Sequence, residues 1–209
     1  MIIAVDGPAA SGKGTIARAL AAHFDLPHMD TGALYRAVAL NLWRWGGDPA
    51  SEFEAVRACE DIGSNCDDPE LRSEPVSKIA SRVSAYPAVR EALIERQRAF
   101  ASQASGAVLD GRDIGTIIAP AADVKLFVTA SPRVRANRRV RELLERGMPA
   151  HFEEVLSDLA RRDERDMQRK VAPLAPAADS ILLDTSDWSV AEAVAAAIER
   201  VQARLEGAE

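Results

Sequence analysis

The residues able to handle phosphate stand out before any helix or strand does. Gly7-Pro8-Ala9-Ala10-Ser11-Gly12-Lys13 fits G-x-x-x-x-G-K. In that pattern glycines let backbone amides turn inward around phosphate oxygens, and the lysine reaches the outer phosphates. Gly14 stands where Ser or Thr is usual, and the hydroxyl arrives one place later as Thr15. Such a loop implies a nucleoside triphosphate. The chain is acidic, with a formal net charge of −6, which argues against general affinity for nucleic acid. Its arginines are nonetheless grouped: Arg133, Arg135, Arg138, Arg139 and Arg141, then Arg161, Arg162, Arg165 and Arg169. Concentrated arginine in an acidic chain suggests a small, highly charged anion as partner.

Elements must place these groups. Ile2 to Val5 reads as a strand running into the loop, after which Ile16, Leu20 and Phe24, with Ala17 and Ala21 beside them, recur at helical spacing. The helix would aim its positive N-terminal end at the same phosphate. Further strands are expected at Leu26 to Met29, Ala107 to Asp110, Val124 to Thr129 and Ser180 to Leu183. The last helix carries Val190, Val194, Ile198, Val201 and Leu205 on one stripe, and Ser189 to Glu192 is spaced as a capping box. Strands alternating with helices imply a mainly parallel α/β sheet covered on both faces, with ligands at the carboxyl ends of its strands.

With 209 residues, 47% of them hydrophobic and 28% charged, one soluble domain is expected, and no apolar run is long enough to span a bilayer. No secretory signal is recognisable, so the expected location is the cytoplasm. Cys59 and Cys66 suggest neither a disulfide framework nor a zinc site and are read as free thiols. With no heptad pattern or exposed apolar stripe, a monomer is the default. Asn41 to Ala107 and Gly147 to Arg169 exceed what a minimal sheet needs, and long excursions of this kind are commonly lids or binding loops.

Further segments carry a resemblance. G-K-G-T is similar to the nucleoside monophosphate kinases more than to the GTP switches, and no N-K-x-D guanine-reading motif is present. Read in order with the loop, "DTGALYRAVAL" from Asp30, "SAYPAVREALIERQRAF" from Ser84, "DGRDIGT" from Asp110, "RRDERDMQRKVAPL" from Arg161 and "PAADSILLDTS" from Pro176 resemble the bacterial cytidylate kinase family over nearly the whole chain. The resemblance implies a P-loop nucleoside-monophosphate-kinase-like α/β fold with a five-stranded parallel sheet. It divides the chain into a core (1–40, 101–145 and 170–209), an insert for the monophosphate (41–100) and a short lid (146–169).

The activity so implied is transfer of the ATP γ-phosphoryl group to CMP or dCMP with Mg²⁺. Gly7 to Thr15 would bind ATP, with Lys13, Arg112 and Arg169 as the catalytic residues, Lys13 and the lid arginines balancing charge on the transferring group, and Asp110 and Thr15 directed at Mg²⁺ and its waters. Thr31, Arg36, Arg112 and Arg169 would hold the acceptor phosphate. Ser81, Arg90 and Asp113 would read cytosine, the carboxylate accepting from N4 and the guanidinium donating to N3 and O2. Arg162 and Asp166 would hold the ribose, and Arg135 and Arg139 would reach ATP from the lid side.

Without the resemblance several of these residues read otherwise. Arg36 serves equally as a surface helix residue, and Asp110 as a member of a structural ion pair. Arg162, Asp166 and Arg169, spaced i, i+4, i+7, form a solvated salt-bridged face as readily as a ribose site. Arg135 and Arg139 are one of several registers. No Ser, Cys or His nucleophile is needed, because an acceptor phosphate with a second pKa of about 6 is already largely dianionic. His23, His28 and His151 therefore receive no catalytic role. The stretch "DIGSNCDDPELRSEPVSKIAS" looks abbreviated for the family, which bears on how strictly the base is enclosed. A kinase for another acceptor and a non-catalytic nucleotide-binding module are the rival functions.

Overall fold

A computed structural model describes residues 1–63 and 68–207; Cys66 lies outside the described residues. Five strands, β1 (Ile2–Asp6), β2 (His28–Asp30), β3 (Ala107–Gly111), β4 (Val124–Thr129) and β5 (Ile181–Asp184), form one sheet in the order β2-β3-β1-β4-β5. The registered pairs β1 with β3, β1 with β4 and β4 with β5 are parallel. Buried on both faces, β1 and β3 read as near-continuous apolar runs, IIAV and AVL, until each ends in a charged residue.

Among the described residues are eight α-helices, α1 (Lys13–Phe24), α2 (Thr31–Arg44), α3 (Glu52–Arg57), α4 (Glu74–Val83), α5 (Pro87–Ala101), α6 (Pro132–Glu145), α7 (Phe152–Met167) and α8 (Val190–Glu206), with a 3-10 turn at Pro69–Arg72 and a π-type turn at Ile114–Ile118. Chain contacts group residues 30–100 into one compact unit and residues 1–29 with 101–209 into a larger one.

In the larger unit the core joins Ile3 and Val5 of β1, Ile16 and Leu20 of α1, Leu126 and Val128 of β4, and Ala193, Ala197 and Val201 of α8. Of the stripe expected on α8, Val201 lies in the core. Ala193 and Ala197 face the core, Val194, Ile198 and Leu205 flank it, and Val190 is exposed. Alanines let the helix approach closely, and the larger aliphatics fill the margins. The capping box is present: the Glu192 amide donates to Ser189 Oγ at 3.2 Å, and the Ser189 amide to Glu192 Oε2 at 2.8 Å.

Asp6 of β1 and Gly111 of β3 are register partners. The phosphate loop therefore leaves the sheet directly beside the turn that carries Arg112 and Asp113, at the carboxyl edge where an open α/β sheet collects ligands. In the smaller unit α2 packs against α4, with Leu34, Val38, Leu42, Val76, Ala80 and Val83 buried.

Candidate active site

The loop from Gly7 to Gly12 has the backbone its sequence demands. Gly7 runs so close to β4 that a Cβ there would lie 2.0 Å from the Val128 carbonyl oxygen, so a larger residue would force the strand and loop apart. Ala10 (φ 58°) and Gly12 (φ 93°) take the left-handed region, and α1 begins at Lys13. Residues of negative and positive φ thus alternate, which curls consecutive amides into a concave nest for an anion. Ser11 is fully buried, and its hydroxyl meets no partner among the described residues.

Two carboxylates flank the loop. Asp6, directly before Gly7, accepts from the amides of Ile114 and Gly115 at 2.8 Å each. Burial drives its pKa up to about 6, against the pull of those two amides, and the nearby Asp113 charge adds to the rise. Asp110, near the end of β3, is buried; its Oδ1 lies 2.8 Å from His28 Nε2, while its Oδ2 would lie 3.6 Å from a Cβ placed on Gly14. Thr15 Oγ1, 3.5 Å from Arg18 Nη2, is exposed on the first turn of α1. These are hard oxygen donors of the kind Mg²⁺ takes when substrate phosphates and water supply the remaining positions.

On the β3 side charges are paired with one another. Arg112 Nε donates to Asp166 Oδ2 at 2.9 Å, and Arg169 Nη2 to Asp166 Oδ1. Arg169 lies beyond the end of α7 yet still reaches Asp166, which is 1% exposed. Burial pushes the Asp166 carboxyl up, but the guanidinium groups of Arg112, Arg169 and Arg162 outweigh it and hold the carboxyl below its ordinary range. Asp113 is buried at the start of a π-type turn over Ile114–Ile118.

Within the smaller unit, Arg36 Nη2 donates to Asp30 Oδ2 at 2.6 Å, and Thr31 is buried on the first turn of α2. The buried Arg90 guanidinium lies over the Tyr35 ring, 5.5 Å from its centroid, and donates to the Ser84 carbonyl at 3.3 Å. Ser81 is buried on α4, and its hydroxyl meets no partner among the described residues.

A protein-family model described as cytidylate kinase matches residues 3–203. The chain belongs to the cytidylate kinase family. It is 53% identical over 204 residues to a cytidylate kinase of Rhodopseudomonas palustris (strain TIE-1), covering 97% of this chain and 96% of that one. It is 54% identical over 210 residues to a cytidylate kinase of Xanthobacter autotrophicus, covering 99% and 100%. Among solved structures, an uncharacterized protein of Eubacterium ventriosum superposes with a TM-score of 0.57 at 15% identity, covering 97% of this chain and 98% of that one. At that identity the likeness is one of fold.

The cytidylate kinase motifs locate most of the groups described above, but not their partners. Arg135, expected toward ATP, is buried with its guanidinium turned to protein: Nε donates to the Ala130 carbonyl at 3.0 Å, Nη1 to the Ala9 carbonyl at 3.2 Å, and Nη2 pairs with Asp163 at 2.6 Å. Arg139 pairs with Glu142 one turn on, at 2.7 Å. Three neighbours of the site had no motif to announce them: Asp6, His28 and Arg138. Asp6 carried a usable signal, since an acidic residue ending a buried apolar strand must meet donors. His28 and Arg138 carried none, because their partners are remote in sequence.

Proposed function

We propose that the chain transfers the γ-phosphoryl group of ATP to CMP and dCMP, forming CDP and dCDP. The observation that carries this reading is the adjacency of two anion-binding arrangements, the Gly7–Thr15 nest leaving β1 and the Arg112–Asp166–Arg169 cluster beside the end of β3. One would suffice for a nucleotide-binding module; phosphoryl transfer between two phosphates needs both.

In this reading the nest and Lys13 hold the donor. Arg112, Arg169, Thr31 and Arg36 are each assigned to the acceptor phosphate. Asp113 accepts from the cytosine amino group, and Ser81 and Arg90 face its N3 and O2. Asp166 and Arg162 take the ribose; each Asp166 oxygen keeps a lone pair after accepting from an arginine, so it can still accept a hydroxyl. Arg139 would leave Glu142 to reach ATP from α6. Asp110 and Thr15 would hold Mg²⁺, which when bound supplies charge neutralisation on the donor's β- and γ-oxygens. No base is required, and the protein's contribution is alignment and charge neutralisation. Closure of residues 41–100 and 146–169 would exclude water from the transfer. The setting is cytoplasmic pyrimidine nucleotide metabolism, with the chain acting as a monomer and with no nucleic-acid or membrane partner.

Uracil would set its O4 carbonyl against the Asp113 carboxylate, leaving polar groups unpaired at a cost of about 1 to 3 kcal/mol each. The test is ADP formation from ATP and Mg²⁺ with CMP, dCMP, UMP, AMP or no acceptor. Turnover confined to CMP and dCMP is expected. Comparable rates with UMP or AMP would remove Asp113 and Arg90 from base reading, and ADP formation independent of any acceptor would remove the kinase.

A further inference from the structure

The phosphate loop is held from behind through its carbonyls. Arg135 Nη1 donates to the Ala9 carbonyl at 3.2 Å, and Arg138 Nη1 to the Ser11 carbonyl at 3.2 Å. The two arginines are three apart on α6 and so share a face. Each peptide group is planar and trans, so its C=O and the following N–H point in opposite directions. Drawing the carbonyls of Ala9 and Ser11 toward α6 therefore turns the amides of Ala10 and Gly12 to the opposite side. Ala10 and Gly12, like Gly7, are also at positive φ. Alanine resists that conformation unless its surroundings impose it.

The second anchor is itself fixed. Arg138 Nη1 also donates to Thr185 Oγ1 at 2.9 Å, and Nη2 to the Thr185 carbonyl at 2.6 Å. Thr185 is 1% exposed, and its hydroxyl lies 3.1 Å from both the Ser11 and Thr129 carbonyls. One guanidinium thus spans the loop and the segment after β5 with three acceptors, a geometry that a single ammonium cannot reproduce. Arg135 is held in its turn by the Asp163 carboxylate of α7.

We infer that Arg138, seated on Thr185, is a positioning residue for the phosphate donor: it acts through the Ser11 carbonyl to aim the Gly12 amide, with Arg135 doing the same for Ala10 through Ala9. The inference rests on the reading of Gly7–Thr15 as the donor loop. It makes donor affinity depend on two α6 arginines that grip the loop from its outer side, and it gives Arg138 a role that no motif marks.

The test combines ADP and CMP binding by calorimetry with ¹⁵N–¹H spectra of the nucleotide-free protein, for wild type, Arg138→Gln and Arg138→Lys. In Arg138→Gln the Gly12 amide resonance should move before any nucleotide is added, ADP should bind about tenfold or more weakly, and CMP affinity should change less than about twofold. Arg138→Lys, which keeps the charge and secures a folded comparison, should recover less than half of that loss on a logarithmic scale. Weaker ADP binding with an unmoved Gly12 resonance would overturn the inference in favour of direct contact with the donor. So would full recovery in Arg138→Lys, or ADP affinity within twofold of wild type in both variants. If wild type itself fails to bind ADP, the donor-loop reading falls instead.

Discussion

The phosphate loop and the Arg112–Asp166–Arg169 cluster sit at neighbouring strand ends and prepare for anions in opposite ways. The loop offers dipoles, and dipoles can be anchored by their far ends: the Ala9 and Ser11 carbonyls are tied to α6, leaving the opposite face of the loop for phosphate. The cluster offers full charges, and buried charges need a counter-charge at all times. Asp166 supplies it, accepting from Arg112 and Arg169 together. On the proposed reading the donor loop is shaped before nucleotide arrives, whereas an acceptor phosphate would share its arginines with Asp166.

The sharpest way to break this contrast is to remove the counter-charge. Asp166→Ala removes the carboxylate that two largely buried guanidinium groups share, and chemical denaturation should show a loss of about 3 to 5 kcal/mol. Unchanged stability would mean that the arginines need no partner there. On the donor side Lys13→Ala should lower kcat roughly a hundred- to a thousandfold, measured by ADP release, with a melting temperature near wild type. A large fall in melting temperature would show that the loop depends on Lys13 for its shape rather than on its backbone anchors.

Asp6 lies on the boundary between the two regions and gives the contrast a pH dependence. Its folded pKa, about 6, is above the ordinary carboxyl value, so the folded state binds this proton more tightly than the unfolded chain does. The carboxyl contributes no penalty below the unfolded pKa. Native stability relative to Asp6→Asn should then fall as pH rises from about 4 to about 6, by roughly 3 kcal/mol in all. Denaturation curves of both proteins across that range check the sign, and a difference that grows with pH would contradict it. The smallest effect is one of selectivity. Asp113→Ala should lower the CMP-to-UMP ratio of kcat/KM by about tenfold or more while the KM for ATP stays within twofold.

Much of this was legible in the residues. The strand before the loop, the helix after it and the α8 capping box follow from periodicity and cap chemistry, and the sheet class follows from the alternation of elements. The phosphate loop was readable because its chemistry is local: nine consecutive residues carry it. The partners of the arginines were not. Arg135 and Arg138 lie among five arginines within nine positions, and only the rotation of α6 decides that these two meet the loop while Arg139 turns to Glu142. Ala193 and Ala197 of α8 were missed for a similar reason, since periodicity favours the largest aliphatics and close packing against the sheet favours alanine. His28 gave no sign of meeting Asp110, 82 residues away in sequence.

The most direct test of the central claim is a single turnover. Protein preloaded with a substoichiometric amount of ATP and Mg²⁺ is mixed with CMP, with UMP or with buffer, and ADP is followed in time. Rapid conversion of the bound ATP with CMP, and little with UMP or buffer, is the predicted result and would establish two adjacent phosphate sites acting on one another. ADP formed at the same rate in all three mixtures would contradict it, leaving a nucleotide-binding loop with no acceptor beside it.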